Sequence, residues 1–92
     1  MMGSYEGGTM PDYQYRYLRR KLSGSIGRAW QTARLERGMS QEEVASAAGI
    51  ATYTYGCLER AASSDGPEVN PTLDTLIRIS VILDVDLRDL PD

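Results

Sequence analysis

Apolar residues recur at helical spacing in the first half of the chain. Four of them lie at positions i, i+3, i+4 and i+7, which places them on one face of a helix: Ile26, Ala29, Trp30 and Ala33. Gly38 follows at the place where a helix commonly takes a left-handed C-terminal residue. The pattern predicts a first helix over residues 25–37, with Trp30 in the core.

Two short helices are predicted next, with little chain between them. Ser40 stands three residues before Glu43, the spacing of a capping box, and small apolar residues then share one face as far as Gly49: Val44, Ala45 and Ala48. Only two residues separate Gly49 from the run "TYTYGCLER", residues 52–60, in which Tyr55 and Leu58 lie on one face. Two helices joined so closely must cross at a steep angle.

The last third of the chain predicts a loop, a fourth helix and a final turn. Residues 61–70, "AASSDGPEVN", have the composition of a loop, and Asn70 and Pro71 suit the cap and first position of a helix. That helix is expected to bury most of its apolar residues, with Val81 or Ser80 at the edge: Leu73, Leu76, Ile77 and Leu83. Asp86 can cap a last short helix that carries Leu87 and Leu90. Five helices and no clear strand predict an all-α domain.

The N-terminal 22 residues differ from this pattern. Residues 1–12 are rich in glycine and small polar side chains, which predicts a flexible tail. Residues 13–22, "YQYRYLRRKL", alternate tyrosine with polar residues and then become basic, so strand, helix and disorder all remain open for this arm. The predicted division is a tail and Tyr-rich arm over residues 1–22 and one domain over residues 23–92.

Composition excludes several classes of function. The chain has 92 residues, of which 41% are hydrophobic, and these numbers fit one modest core. No apolar run approaches the roughly 18 residues of a membrane span, so we expect a cytoplasmic protein with no membrane partner. One cysteine and no histidine are too few ligands for a metal site. Without histidine, a glycine-rich phosphate loop or a nucleophile elbow, neither an enzyme nor a cofactor is expected.

Charge is distributed unevenly along the chain, although the net charge is only −3. Residues 13–37 contain one acid, Glu36, and seven bases: Arg16, Arg19, Arg20, Lys21, Arg28, Arg34 and Arg37. Residues 61–92 contain two bases and seven acids. A chain of this kind can present a positive surface to phosphates while remaining acidic overall. Two solvated faces without a partner are the alternative explanation.

Residues 25–90 resemble the lambda-repressor-like helix-turn-helix family, also called the Xre family. The resemblance is strongest in "SQEEVASAAGIATYTYGCLER", with Gln41 at the start of the second helix, small Ala45 at the fifth position and Gly49 at the ninth. Apolar residues occupy the positions that lock the motif to the other helices: Val44, Ala48, Ile50, Tyr55 and Leu58. The segments "TARLERGMSQEE" and "PTLDTLIRISVILDVDLRDL" also resemble the family, so the likeness extends beyond the motif.

The resemblance implies a role for each matching residue. The third helix would enter the major groove of double-stranded DNA as part of a homodimer, with four positions facing bases: Thr52, Tyr53, Gly56 and Cys57. Gln41 would contact a phosphate, and Arg34 would form a structural ion pair with Glu59. The implied function is a DNA-binding transcriptional regulator of a bacterium, phage or mobile element.

The four base-facing positions lack the arginine, glutamine or asparagine that usually discriminate between bases. Affinity would therefore depend on phosphate contacts from basic residues of the domain and the arm: Arg28, Arg37, Arg60, Arg16, Arg19, Arg20 and Lys21. An alternative is a protein-interaction module, antitoxin-like or scaffolding, that keeps the fold and uses the region of Tyr53 and Tyr55 to hold a protein partner.

Overall fold

The computed structural model describes residues 11–61 and 71–90, and these residues form four α-helices and one short 3₁₀ turn. The helices are α1 (Asp12–Glu36), α2 (Gln41–Ala48), α3 (Thr52–Arg60) and α4 (Leu73–Leu83), and the 3₁₀ turn is Leu87–Asp89. No strand occurs in either described segment, which agrees with the predicted all-α class. None of the described helices is long and apolar enough to cross a membrane.

The arm is the N-terminal half of α1. One uninterrupted helix of 25 residues runs through the point at residue 22 where the sequence placed a boundary between arm and domain. Helical spacing explains the result, because Tyr15, Leu18 and Leu22 continue the apolar stripe that contains Ile26 and Trp30. The flexible tail predicted for residues 1–12 lies almost wholly outside the described residues.

Both ends of α2 form as the local sequence predicted. Ser40 accepts a hydrogen bond from the Glu43 amide, and the Glu43 carboxylate accepts one from the Ser40 amide, which completes the capping box. Gly49 has a φ of 74°, in the left-handed region that glycine tolerates best, and it ends α2. Gly38, after α1, is also left-handed with a φ of 67°.

The core lies where α1, α2, α3 and α4 meet. Its fully buried members come from all four helices: Trp30, Val44, Ala45, Ala48, Tyr55, Leu58, Ile79 and Leu83. The Trp30 and Tyr55 rings stack with centroids 6.3 Å apart, and the Trp30 indole donates a 3.1 Å hydrogen bond to the buried Ser80 hydroxyl. Stacking and a satisfied indole N–H fix the relative positions of α1, α3 and α4.

Helix α1 passes very close to α3 at Gly27. A Cβ atom added to Gly27 would lie 2.8 Å from the carbonyl oxygens of both Leu58 and Glu59. Any larger side chain would therefore push the two backbones apart. This contact fixes the end of α3 against α1, and the sequence prediction did not identify it.

Two expectations for the C-terminal part differ from the structure, the count of five helices and the start of α4. The predicted last short turn is present as a three-residue 3₁₀ turn, capped as expected by Asp86, whose carboxylate accepts from the Arg88 amide at 2.9 Å, so the described residues contain four α-helices. Helix α4 begins at Leu73, because the Thr72 hydroxyl caps it by accepting from the Thr75 amide. Pro71 lies before the helix, and Asn70 falls outside the described residues together with nearly all of the predicted loop over 61–70.

The face that α4 turns to the core agrees with the prediction only in part. Leu83 is buried and Leu76 packs partly buried against the core as expected. Leu73, Ile77 and Val81 are instead 70%, 49% and 73% exposed, and Ile79 is buried. The helix carries two apolar stripes, so periodicity alone could not choose between them. The hydrogen bond from Trp30 to Ser80 selects the stripe next to Ser80.

Candidate nucleic-acid interface

The N-terminal turn of α3 is the exposed end of the predicted recognition helix. Thr52 is exposed, and Tyr53 projects into solvent with 72% of its surface accessible. These side chains lie at the surface while Tyr55 and Leu58, three and six residues after Thr52, pack in the core. Of the four predicted base-facing positions, these two are available at the surface.

Cys57 and Gly56 are not exposed. Cys57 is fully buried and Gly56 is buried as well, so neither offers free surface in the described structure, and contact of these two positions with bases stays a prediction. The exposed side chains of α3 are therefore Thr52 and Tyr53 in its first turn and Arg60 at its end.

Two long polar side chains cover Gly56. A Cβ atom at Gly56 would lie 3.2 Å from Arg60 Nη1 and 3.3 Å from Gln41 Oε1. Arg60 Nη2 also approaches the Cys57 sulfur at 3.5 Å. The surface over the middle of α3 is therefore made by Gln41 and Arg60, and both are residues for which phosphate contacts were predicted.

The predicted ion pair between Arg34 and Glu59 is present and buried. Arg34 Nε donates to Glu59 Oε2 at 2.6 Å and Arg34 Nη2 donates to Glu59 Oε1 at 3.1 Å, a two-pronged contact. Arg34 Nη1 donates to the Met39 carbonyl at 2.9 Å. The pair ties α1 to α3 and also to the chain entering α2.

Gln41 belongs to the same network. Its Nε2 atom donates to Glu59 Oε1 at 3.0 Å, so the side chain is held against α3 at the start of α2. Burial alone would raise the pKa of Glu59, but hydrogen bonds, led by those from Arg34, hold it below its ordinary value. The hydrogen bond to Glu59 is the main cause that raises the pKa of Arg34. Both groups are therefore charged at neutral pH.

The Tyr55 hydroxyl is buried beside this network and forms no hydrogen bond. Burial, and next the neighbouring Glu59 carboxylate, raise the pKa of the Tyr55 phenol above its ordinary value. The phenol stays neutral, and the ring serves as the core partner of Trp30.

The basic residues that were predicted to contact phosphates differ in their exposure and in their partners. Arg16, Arg20, Lys21, Arg28 and Arg60 are exposed, and Arg16 pairs with Asp12 at 2.7 Å on the surface of α1. Arg37 instead contacts the end of α4, where its Nε donates to the Leu83 carbonyl at 3.2 Å and its Nη2 lies 3.6 Å from Asp84. Arg19 is half-buried on the side of α1 that faces Trp30 and Leu58. All of these basic residues except Arg19 are exposed, and Arg37 is both exposed and paired.

Acidic groups lie close to the exposed end of α3. Glu42 and Glu43, at the start of α2, line a shallow depression together with Ile50 and Thr52. Two carboxylates here weaken the attraction of phosphates to this edge and favour positive charge. This feature was not anticipated from the sequence, although "QEEV" at the start of α2 signals it.

The family comparison covers most of the domain. A family model described as helix-turn-helix, of the Xre or lambda-repressor-like kind, matches residues 31–90. These residues contain the end of α1, the whole of α2, α3 and α4, and the 3₁₀ turn. The comparisons with curated proteins and with solved structures gave no match.

Proposed function

The chain belongs to the lambda-repressor-like helix-turn-helix family, and we propose that it is a transcriptional regulator that binds double-stranded DNA through the first turn of α3. The observation that carries the proposal is the exposure of Thr52 and Tyr53 at the start of a helix whose residues 55–59 are buried. In this proposal α3 enters the major groove, two copies occupy neighbouring half-sites, and no cofactor or catalysis is involved.

Direct base recognition in this arrangement is narrow. The Thr52 hydroxyl and methyl and the Tyr53 ring can contact base edges and thymine methyl groups, but neither side chain forms the two-pronged contacts of arginine or glutamine. Contacts to phosphates must therefore supply most of the affinity.

The network around Glu59 supports such a phosphate contact. Gln41 donates one amide hydrogen to Glu59, which leaves its second hydrogen available, and Arg60 reaches over Gly56 beside it. The Arg34–Glu59 pair positions Gln41 without contacting DNA itself. A phosphate placed between Gln41 and Arg60 would be held by an amide donor and a guanidinium.

A salt titration separates the two kinds of contact. We expect Arg20→Gln with Arg28→Gln to weaken binding to a selected and a scrambled duplex by the same factor, since phosphate contacts carry little sequence information. The slope of log affinity against log salt concentration should become shallower by about 0.9 for each arginine that contacts a phosphate in the parent protein. Thr52→Ala with Tyr53→Ala should reduce the preference for the selected duplex and leave the slope nearly unchanged.

Arg88→Gln is the matched control, because Arg88 is an exposed arginine at the far end of the chain, paired with Asp86. The Arg88→Gln variant should leave the affinity for DNA, the preference for the selected duplex and the salt slope unchanged. The selected duplex comes from enrichment of bound sequences in a random pool. Unaltered DNA binding in both double variants would show that α3 is not the recognition element.

The acidic depression favours a second candidate function. Glu42, Glu43 and the exposed Tyr53 lie near the same end of α3, and this combination of carboxylates and an aromatic ring suits a basic segment of a protein partner. In that case the chain is an interaction module of the antitoxin or scaffold kind. Loss of partner binding in Glu42→Gln and Tyr53→Ala, with no salt-dependent DNA binding in the parent, would favour this function.

A further inference from the structure

Arg60 lies on the same side of α3 as the two exposed residues of the first turn. At about 100° per residue, Gly56 and Arg60 are about 40° and 80° around the helix from Thr52. Tyr53 is at about 100°, so both residues fall in the sector between the two side chains that are proposed to contact bases. Leu58, at about 240°, is on the opposite side and packs in the core. Arg60 therefore belongs to the side of α3 that faces DNA in the proposed function.

The side chain of Arg60 runs back along α3 and covers Gly56. Arg60 follows Gly56 by four residues, about 6 Å along the helix axis. Its Nη1 atom nevertheless lies 3.2 Å from the place that a Cβ atom of Gly56 would take. Long side chains in helices lean toward the N-terminal end, which brings the guanidinium over the preceding turn. The guanidinium thus occupies the place that a side chain at position 56 would fill.

Gly56 makes room for this guanidinium. The atoms nearest to its missing Cβ belong to the ends of two side chains, Arg60 and Gln41, so packing against another backbone does not explain the glycine. Helix propensity also favours alanine over glycine inside a helix. A side chain larger than hydrogen would displace the guanidinium, because a contact of 3.2 Å is already closer than ordinary van der Waals contact. Glycine at this position is explained by the side chain that lies over it.

The guanidinium of Arg60 is available to a ligand. Arg60 is exposed, and no carboxylate of residues 11–61 or 71–90 pairs with it. Within these segments its hydrogen-bond partner is the Cys57 sulfur, a weak acceptor, at 3.5 Å from Nη2. Arg34 differs, because Glu59 and the Met39 carbonyl already take its donors. Of these two arginines, Arg60 is the one whose donors a new partner can use.

Guanine is the base that a guanidinium recognises best. Its O6 and N7 atoms lie side by side in the major groove and accept two hydrogen bonds from one arginine, the commonest specific contact between proteins and DNA. Thr52 and Tyr53 form no such two-pronged contact. A guanidinium between them supplies the base-discriminating group that the first turn lacks, while Gln41, at the start of α2, keeps a free amide hydrogen for a phosphate.

We propose that Arg60, held over Gly56, contacts a guanine in the bound DNA and is the main specificity-determining residue of α3. The inference rests on the proposed function and changes one assignment within it, because the guanidinium contacts a base and Gln41 alone keeps the phosphate. A phosphate contact would strengthen binding to every sequence alike, whereas this contact selects a G·C pair. One two-pronged contact of this kind discriminates between bases by about 5- to 150-fold.

A panel of duplexes tests the assignment. The panel contains the duplex that the parent selects from a random pool and derivatives of it in which each base pair is changed in turn. We expect the parent to lose affinity by about 5- to 150-fold when one particular G·C pair is changed. A guanine analogue with carbon in place of N7 should also weaken binding at that pair. In Arg60→Ala the loss at this pair should disappear, and the losses at the other pairs should remain.

A second variant moves the guanidinium without removing it. In Gly56→Leu the new side chain fills the place over position 56, so the preference for the same G·C pair should be lost although Arg60 is present. Gly56→Leu and Arg60→Ala should both leave the salt slope nearly unchanged, since neither removes a phosphate contact. Circular dichroism and the fluorescence of buried Trp30 confirm that each variant is folded.

Arg28→Ala is the matched control, because it removes an exposed arginine of α1 to which the proposed function gives a phosphate. It should weaken binding to every duplex of the panel by the same factor and make the salt slope shallower by about 0.9. The preference for the G·C pair should stay that of the parent. The control therefore separates loss of an arginine in general from loss of this base contact.

Four results would overturn the inference while the parent still binds DNA. A uniform loss over the whole panel in Arg60→Ala, with a shallower salt slope, assigns the guanidinium to a phosphate. Unchanged binding in Arg60→Ala removes this residue from the interface. A parent that requires no G·C pair has no such contact, and a folded Gly56→Leu variant with the parent's preference shows that the guanidinium does not act from its place over Gly56. A parent without salt-dependent DNA binding instead contradicts the proposed function itself, and this inference with it.

Discussion

Glu59→Ala should lower the free energy of unfolding by about 3–5 kcal/mol, because it leaves the Arg34 guanidinium buried without its counter-ion. The substitution removes the acceptor of both Arg34 contacts and of the Gln41 amide at once. Arg34→Ala should cost a similar amount, since it strands the Glu59 carboxylate and leaves the Met39 carbonyl without its donor. Chemical denaturation monitored by Trp30 fluorescence measures both losses.

Asp74→Ala is the matched control for the ion pair. It breaks the pair between Asp74 and Arg78, which has a similar distance of 2.9 Å but joins side chains that are more than half exposed. Such a surface pair contributes at most about 1 kcal/mol. A loss under about half a kilocalorie per mole in both buried-pair variants would show that the network does not hold α1 to α3.

The same network predicts the direction of a pH effect. The pKa of Glu59 is lowered in the folded protein, so the unfolded chain takes up its proton first as the pH falls. The stabilisation is complete above the ordinary pKa of glutamate and is lost as the pH drops through the folded value. In the Glu59→Gln variant, the free energy of unfolding should therefore fall less steeply than in the parent as the pH decreases below the ordinary pKa of glutamate.

The local signals of the helix-turn-helix could be predicted from the sequence. The capping box of Ser40 and Glu43, the left-handed Gly49 and the pairing of Arg34 with Glu59 all depend on short-range chemistry or on the family resemblance, and all three are present. The capping box and Gly49 depend little on how the helices pack, whereas the pair between Arg34 and Glu59, which joins α1 to α3, was implied by the resemblance.

Features that packing decides could not be predicted. Cys57 was assigned to the surface by its position in the motif, but its side chain is fully buried in the structure. The arm could have been strand or helix, because the tyrosines alternate over the same residues that continue the helical stripe. The face of α4 depended on the Trp30–Ser80 hydrogen bond, which joins residues 50 positions apart.

One missed packing contact did leave a signal in the sequence. Gly24 and Gly27 are both buried on α1, and two glycines three positions apart inside a helix indicate the close approach of another backbone. Helix propensity would favour alanine at each position by about 1 kcal/mol. Glycine at position 27 is explained by the carbonyl oxygens of α3 that lie against it.

Gly27→Ala should therefore destabilise the protein by about 1–3 kcal/mol in spite of its better helix propensity. The new methyl group would lie 2.8 Å from the Leu58 and Glu59 carbonyl oxygens, which belong to a backbone and cannot rotate away. Relief requires α3 to move from α1, and that movement would also stretch the contact between Arg34 and Glu59 on the same helix pair.

Gly56→Ala makes the same chemical change in a helix with different neighbours. The atoms facing its new methyl group are the ends of the Arg60 and Gln41 side chains, at 3.2 and 3.3 Å, and both can swing aside. This variant should be as stable as the parent or gain up to about 1 kcal/mol from helix propensity. Parallel denaturation of the two variants measures the difference, and equal stabilities would mean that α1 and α3 are further apart at Gly27 than the structure has them.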